Sequence, residues 1–193
     1  QGVTHRGSLK GKDFITNEFF RGMVAFEEFL GPIFIQVSES FSPKRKEELF
    51  EFLRSLPTDL QFFMEVRHPD WFAKTDICNE LFTSLAAMNI GAVITDTAGR
   101  RDCAHMHLTL PKAFIRYVGN SLHATDYARI DEWVSRMKYW LDNGMEELYF
   151  FMHMHDEATS PELTVYLVDK MNKELGLNLV KPKFITEQRG LFD

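Results

Sequence analysis

Phe62-Phe63-Met64-Glu65-Val66-Arg67, running into His68-Pro69-Asp70-Trp71, is the stretch on which the fold turns. Six residues read as a buried strand, finish on a charge and enter a turn at once. Pro69 holds His68 extended and forbids an immediate helix. Side chains alternate along a strand, so Glu65 and Arg67 share one face and Val66 takes the other. The same unit recurs outward in both directions. Downstream, Ile77, Leu81 and Leu85 line one face of a helix expected over residues 75–88, and Ala92-Val93-Ile94-Thr95-Asp96 follows as a strand. Upstream, Ile33-Phe34-Ile35-Gln36-Val37 reads as a strand, and Ser42-Pro43 as an N-cap with proline at the first helical position. Leu49, Leu53 and Leu56 continue that helix. Residues 16–30 carry Phe19, Phe20, Met23 and Val24 at helical spacing and stop at Gly31.

Beyond Asp96 the rhythm breaks. Residues 97–112 show no helical stripe, only a polar run with Arg100, Arg101, Asp102, His105 and His107. It resumes at Phe114-Ile115-Arg116-Tyr117-Val118, then a helix over 126–143 with Ile130, Trp133, Met137 and Leu141 on one face, ended by Gly144. Residues 148–153 form the last strand, and Ser160-Pro161 opens a final helix whose stripe includes Leu167, Val168, Met171 and Leu175. Five strands separated mostly by helices, at about 30 residues per unit, argue for parallel βα units. No GxGxxG or GxxxxGK[ST] turn marks an open nucleotide-binding sheet. Gln36, Arg67, Asp96, Arg116 and His153 instead place polar groups at the strand ends, where a (β/α)8 barrel gathers its active site. The expected fold is an α/β, TIM-like (β/α)8 barrel forming a single domain over residues 1–193. Five strands do not close a barrel of about 250 residues. The expectation is therefore an incomplete barrel lacking its N-terminal βα units, the C-terminal five-eighths, with roughly 50–70 residues upstream at ordinary barrel spacing.

The 193 residues are 45% hydrophobic and 26% charged, and 22 basic against 28 acidic groups give a net charge of −6. That balance disfavours non-specific binding to nucleic acid or anionic membranes. No apolar run approaches the roughly 18 residues of a membrane span and the start is not a signal peptide, so a cytoplasmic, soluble protein is expected. Cys78 and Cys103, without CxxC spacing, support neither a disulfide framework nor a zinc ribbon.

The strand-end residues suggest a mouth in which Arg67 and Arg116 hold an anionic group, because the planar guanidinium fork binds phosphate or carboxylate through two bonds. Glu65 or Asp96 would supply acid or base chemistry. The bland reading is a layer of mutually neutralising ion pairs that orders the interior. His105-Met106-His107 and His153-Met154-His155 each direct two imidazoles to one side, but a hydrolytic zinc site needs a third ligand and an open position. They are read as hydrogen-bonded histidines, and neither metal nor cofactor is expected. Trp71 either lies over the mouth as an aromatic platform or staples the loop to the following helix.

Phe63-Met64-Glu65-Val66-Arg67-His68-Pro69-Asp70-Trp71-Phe72 resembles the signature of the YecE-like family, a domain of unknown function described as a TIM-like barrel. Val3-Thr4-His5-Arg6, Gly31-Pro32-Ile33-Phe34-Ile35-Gln36, Val93-Ile94-Thr95-Asp96 and Phe114-Ile115-Arg116-Tyr117 are similar in order to further family segments, and the resemblance covers residues 3–175. Two departures stand out. Val118-Gly119 replaces a common His-Gly, and His153-Met154-His155 replaces a strand end rich in Asn. The resemblance implies the fold and the place of the site, not a reaction. The functional expectation is a hydrolase acting on a small anionic, phosphorylated or nucleic-acid-derived molecule. Glu65, Asp96, His68 and His153 are its candidate catalytic residues, and His5, Gln36, Arg67, Trp71, Arg100 and Arg116 its candidate ligand-binding residues. The alternatives are a non-catalytic anion-binding barrel and an interaction scaffold.

Overall fold

The structure is a computed structural model and describes residues 8, 9, 13–99 and 101–184, the side chains of 13–15 excepted. Strands and helices alternate along it: α1 Asp13–Val24, β1 Ile33–Gln36, α2 Lys46–Arg54, β2 Phe62–Glu65, α3 Thr75–Ala87, β3 Gly91–Thr97, β4 Lys112–Val118, α4 Ala124–Asp142, β5 Glu147–His153 and α5 Ser160–Leu175. The five strands form one sheet in chain order, β1-β2-β3-β4-β5. A doubly wound sheet would reverse that order at a switch point, and this one does not. β1, β2 and β3 are parallel, with Ile33 opposite Phe62, Gln36 opposite Glu65 and Phe63 opposite Gly91. No helix among the described residues is long and apolar enough to cross a membrane.

The helix edges follow local chemistry. Residues 16–30 do not form one helix: Glu27 adopts a left-handed backbone (φ 48°), which ends the α-helical run and leaves a separate 3-10 turn at Glu27–Phe29. Pro43 opens a 3-10 turn that leads into α2, whose buried face is Leu49, Phe50 and Leu53. α5 stops where Gly176 enters the left-handed region (φ 68°), a conformation glycine adopts without steric cost. β2 ends at Glu65, two residues short of the expected strand.

The chain packs as two compact units. The first runs to Arg116 and takes in Glu146–Phe150; the second comprises Tyr117–Met145 and the chain from Phe151 onward. In the first, alternation divides the strands into two faces. Ile35, Phe62, Met64 and Ala92 share one core cluster with Leu49, Leu53, Leu81 and Leu85 of the helices. Phe63, Val93, Phe114 and Tyr149 pack on the opposite face.

The second unit is held by α4 against α5 and by a buried carboxylate. Asp126 is fully buried, and its two oxygens accept from the Asn120 N–H at 2.9 and 2.8 Å. Arg129 lies 3.4 Å from the same carboxylate and 4.2 Å over the Tyr117 ring, and donates to the Val118 carbonyl at 3.2 Å. Gly119 passes so close that a Cβ there would stand 2.3 Å from the Met154 sulfur.

Candidate functional site

The site in the first unit is built on strand alternation. Phe34, Phe63, Phe114 and Tyr149 form an aromatic layer, with ring centroids 5.6 Å apart for Phe34 and Phe114 and 5.1 Å for Phe63 and Phe114. Further along β1, β2, β3 and β4, two residues past Phe34, Phe63, Val93 and Phe114, the same face turns polar, with Gln36, Glu65, Thr95 and Arg116.

Glu65 is the centre of this layer at 2% exposure, and a buried carboxylate must be paired. It accepts a short hydrogen bond from Nη1 of Arg116 and another from the Thr95 hydroxyl at 3.1 Å. The same Arg116 nitrogen donates to Oε1 of Gln36 at 3.1 Å, and the guanidinium lies 5.3 Å over the Phe34 ring. Arg67 comes to the other side, its Nε 3.8 Å from Glu65, while its Nη2 is 2.8 Å from Glu39. Glu65, Arg67, Thr95, Thr97, Cys103 and His105 line a cavity of about 20 Å³, space for a water molecule. Cys103 donates its thiol to the Arg67 carbonyl at 3.1 Å.

Four expected residues therefore meet: Gln36, Glu65, Arg67 and Arg116. Others are placed elsewhere. Asp96 follows the alternation of Ala92 and Ile94, so Thr95 takes the place beside Glu65, and Asp96 pairs with Arg101 at 3.0 Å. Trp71 is 1% exposed and donates its indole N–H to the Phe41 carbonyl at 2.8 Å. The geometry is that of a loop staple, not of an accessible platform; a buried ring of this size gives roughly 4–6 kcal/mol of gross apolar burial. His68 caps the 3-10 turn Pro69–Trp71, its Nδ1 accepting from the Asp70 N–H at 3.1 Å. His153 belongs to the second unit, where its Nδ1 is 3.4 Å from Glu157. His5 and Arg100 lie outside the described residues.

The first histidine pair is committed to packing. His105 donates Nε2–H to the Val93 carbonyl at 3.0 Å, and its Nδ1 accepts from the His107 N–H at 3.3 Å, so both ring nitrogens are engaged. Desolvation holds its pKa down to about 4. Among the described residues, no three His, Cys, Asp or Glu side chains gather in a way that would hold a metal ion. At the foot of the aromatic layer, burial and then the Glu147 carboxylate push the Tyr149 phenol up to about 12.

Reasoning from sequence misses Thr95 and Glu39. Alternation on β3 carries the signal for Thr95 once Val93 is known to face Phe63. Nothing local marks Glu39, whose role arises from the return of Arg67 across the adjacent loop.

Among proteins of known sequence, the chain is 27% identical to the UPF0759 protein YecE of Escherichia coli (strain K12), over 98% of this chain and 75% of the relative. Among solved structures it resembles a DUF72 family protein of Enterococcus faecalis V583, with TM-score 0.68, 18% identity, and 88% of this chain and 70% of that one covered. A DUF72 family protein of Thermotoga maritima MSB8 gives TM-score 0.61 and 19% identity over 91% of this chain and 71% of that one. At such identities these two structures speak for the fold alone. The model of the family described as "Protein of unknown function DUF72" matches residues 1–186, and the chain belongs to that family.

Proposed function

We propose that the Gln36, Glu65, Thr95, Arg67 and Arg116 layer is the mouth of a (β/α)8-type barrel and binds the anionic group of a small molecule. One arrangement supports this reading. The buried Glu65 carboxylate draws two guanidinium groups, Arg116 in direct contact and Arg67 at 3.8 Å, to the C-terminal ends of the strands. Two cations sharing one buried anion present the fork geometry that phosphate or carboxylate oxygens fit. Gln36 orients Arg116 through its amide oxygen.

The reaction class that fits is hydrolysis of an anionic or phosphorylated substrate, favoured by the water-sized cavity against Glu65 and Thr95. A water there is within reach of the carboxylate: its oxygen attacks the substrate, the bond to the leaving group breaks, and Glu65 takes the proton. Arg67 and Arg116 then stabilise the charge that develops.

Calorimetric titration with a panel of phosphate monoesters and diesters tests binding. Arg67→Gln, at a half-exposed position, should weaken the best binder at least tenfold; equal affinity removes the anion site. For the reaction, Glu65→Gln should lose turnover of that ester by far more than it loses binding. Retained turnover rejects Glu65 as the base, and binding without turnover in the unaltered chain leaves a non-catalytic anion binder.

A further inference from the structure

The tip of the loop after β1 carries a carboxylate where a ligand's charge belongs. Val37 and Phe41, at 0% and 2% exposure, anchor the two ends of this loop. The Val37 N–H donates to the Glu65 carbonyl at 3.2 Å, and the Phe41 carbonyl accepts the Trp71 indole N–H at 2.8 Å. Between them Ser38, Glu39 and Ser40 make a turn closed by the Phe41 N–H on the Ser38 carbonyl at 3.0 Å. Glu39 projects from that turn, 53% exposed at its side chain, and its Oε1 sits 2.8 Å from Nη2 of Arg67.

The choice of nitrogen matters. A guanidinium offers an oxyanion two bidentate edges, end-on through Nη1 and Nη2 and side-on through Nε and Nη2. Nη2 belongs to both. Nη2 carries one N–H for each edge, so a carboxylate on that atom occupies one edge and sets its negative charge against an oxyanion approaching the other.

We propose that Glu39 is a built-in competitor for the ligand, a specificity-determining residue that must swing off Arg67 to open the whole guanidinium fork to an oxyanion. This inference rests on the anion-site reading above. Because the anchors lie at Val37 and Phe41, rotation of the Glu39 side chain frees the fork without moving the loop ends. The charge of Glu39 opposes an incoming anion in proportion to that anion's own charge. A phosphate dianion is therefore held back more than a monocarboxylate, so Glu39 tempers the preference of the site for the dianion. Exposed ion pairs of this kind are weak, so the barrier they set is modest.

The test uses inorganic phosphate and acetate, titrated calorimetrically at pH 7.5 into the full chain, into Glu39→Gln and into Glu28→Gln. The last makes the same charge change at an exposed residue of the 3-10 turn before β1. Glu39→Gln should bind phosphate about two- to fivefold more tightly than the unaltered chain, gain more for phosphate than for acetate, and exceed any gain in Glu28→Gln. Phosphate binding seen only in Glu39→Gln also supports the proposal. Equal phosphate affinity in all three chains, or an equal gain in both variants, overturns the competitor role and leaves the anion site standing. Phosphate binding that is absent from every chain, or unchanged in Arg67→Gln, overturns the site reading and the competitor with it.

Discussion

Removing the charge of Glu65 tests whether this carboxylate organises the strand-end layer. In Glu65→Gln the Thr95 hydroxyl keeps an oxygen to donate to, but one carboxylate oxygen becomes an amide, and in the orientation that keeps Thr95 satisfied its N–H groups face Nη1 of Arg116. Donor then meets donor, and the guanidinium loses the charge that compensated its burial. Breaking a buried ion pair by removing one partner costs about 3–5 kcal/mol. The Arg116 side chain is 19% exposed and Gln36 still accepts from it, so a loss of about 2–3 kcal/mol is expected. For a chain of this length that lowers Tm by roughly 4–12 °C. Arg116→Gln should cost a similar amount by leaving Glu65 without its closest cation. The double variant, with two amides able to pair, should fall short of the sum by about 2 kcal/mol. Urea titrations followed by far-UV circular dichroism at pH 7 measure all three. A Glu65→Gln chain within about 0.5 kcal/mol of the unaltered one, or an additive cycle, would refute the reasoning.

His105 stays neutral in the folded chain down to about pH 4, whereas the unfolded chain takes up a proton below about 6.5. Stability is therefore fully present above pH 6.5 and falls by up to about 3 kcal/mol as pH drops to 4; His105→Gln should flatten this part of the urea-midpoint profile, and an unchanged slope rejects the assignment. Glu48, held at about 2 chiefly by Arg45 and also by Ser8 and the Leu9 N–H, has the opposite charge logic. Its contribution is complete above pH 4.5 and is lost as pH falls to 2, so Glu48→Gln should cost about 2 kcal/mol at pH 7 and little at pH 2. A Cβ at Gly91 would stand 2.2 Å from the Phe63 ring, so Gly91→Ala should destabilise by about 1–3 kcal/mol in a thermal melt. Gly31→Ala, with nothing within 4 Å, serves as the control, and equal melts for the two would discard the packing argument.

The strands were legible because each is a short apolar run closed by a polar residue, and helical spacing marked the helices between them. What alternation alone could not supply was which parity faces which layer. Glu65 and Asp96 look equivalent as acids at strand ends, yet Phe63 and Val93 share a cluster, so Thr95 comes beside Glu65 and Asp96 turns to Arg101. Trp71 was ambiguous for a related reason: platform and staple demand the same residue, and only the position of the Phe41 carbonyl decides between them. Glu39 had no local signal at all. An exposed acid in a Ser-Glu-Ser turn acquires a role only when Arg67, 28 positions later, returns to it.

The connection between β3 and β4 shows what the broken rhythm at residues 97–112 means physically. The described residues between β3 and β4 form no helix, so the connector supplies hydrogen bonds and apolar contacts that a helix would have brought. Thr109 accepts from the Ala92 N–H at 3.0 Å and donates to the Ile90 carbonyl at 2.7 Å, and His105 donates to the Val93 carbonyl. The apolar part comes from imidazole rings: His105 stacks on Phe72 at 5.4 Å and His107 on Phe82 of α3 at 4.2 Å. The His-x-His pair, which looked like a ligand set, brings both rings to Phe82 of α3, His105 at 4.9 Å and His107 at 4.2 Å. A neutral His105 is essential to this arrangement, because its Nδ1 must accept while Nε2 donates. The same connector carries Cys103 to the Arg67 carbonyl, so the histidine packing and the proposed anion site share one support.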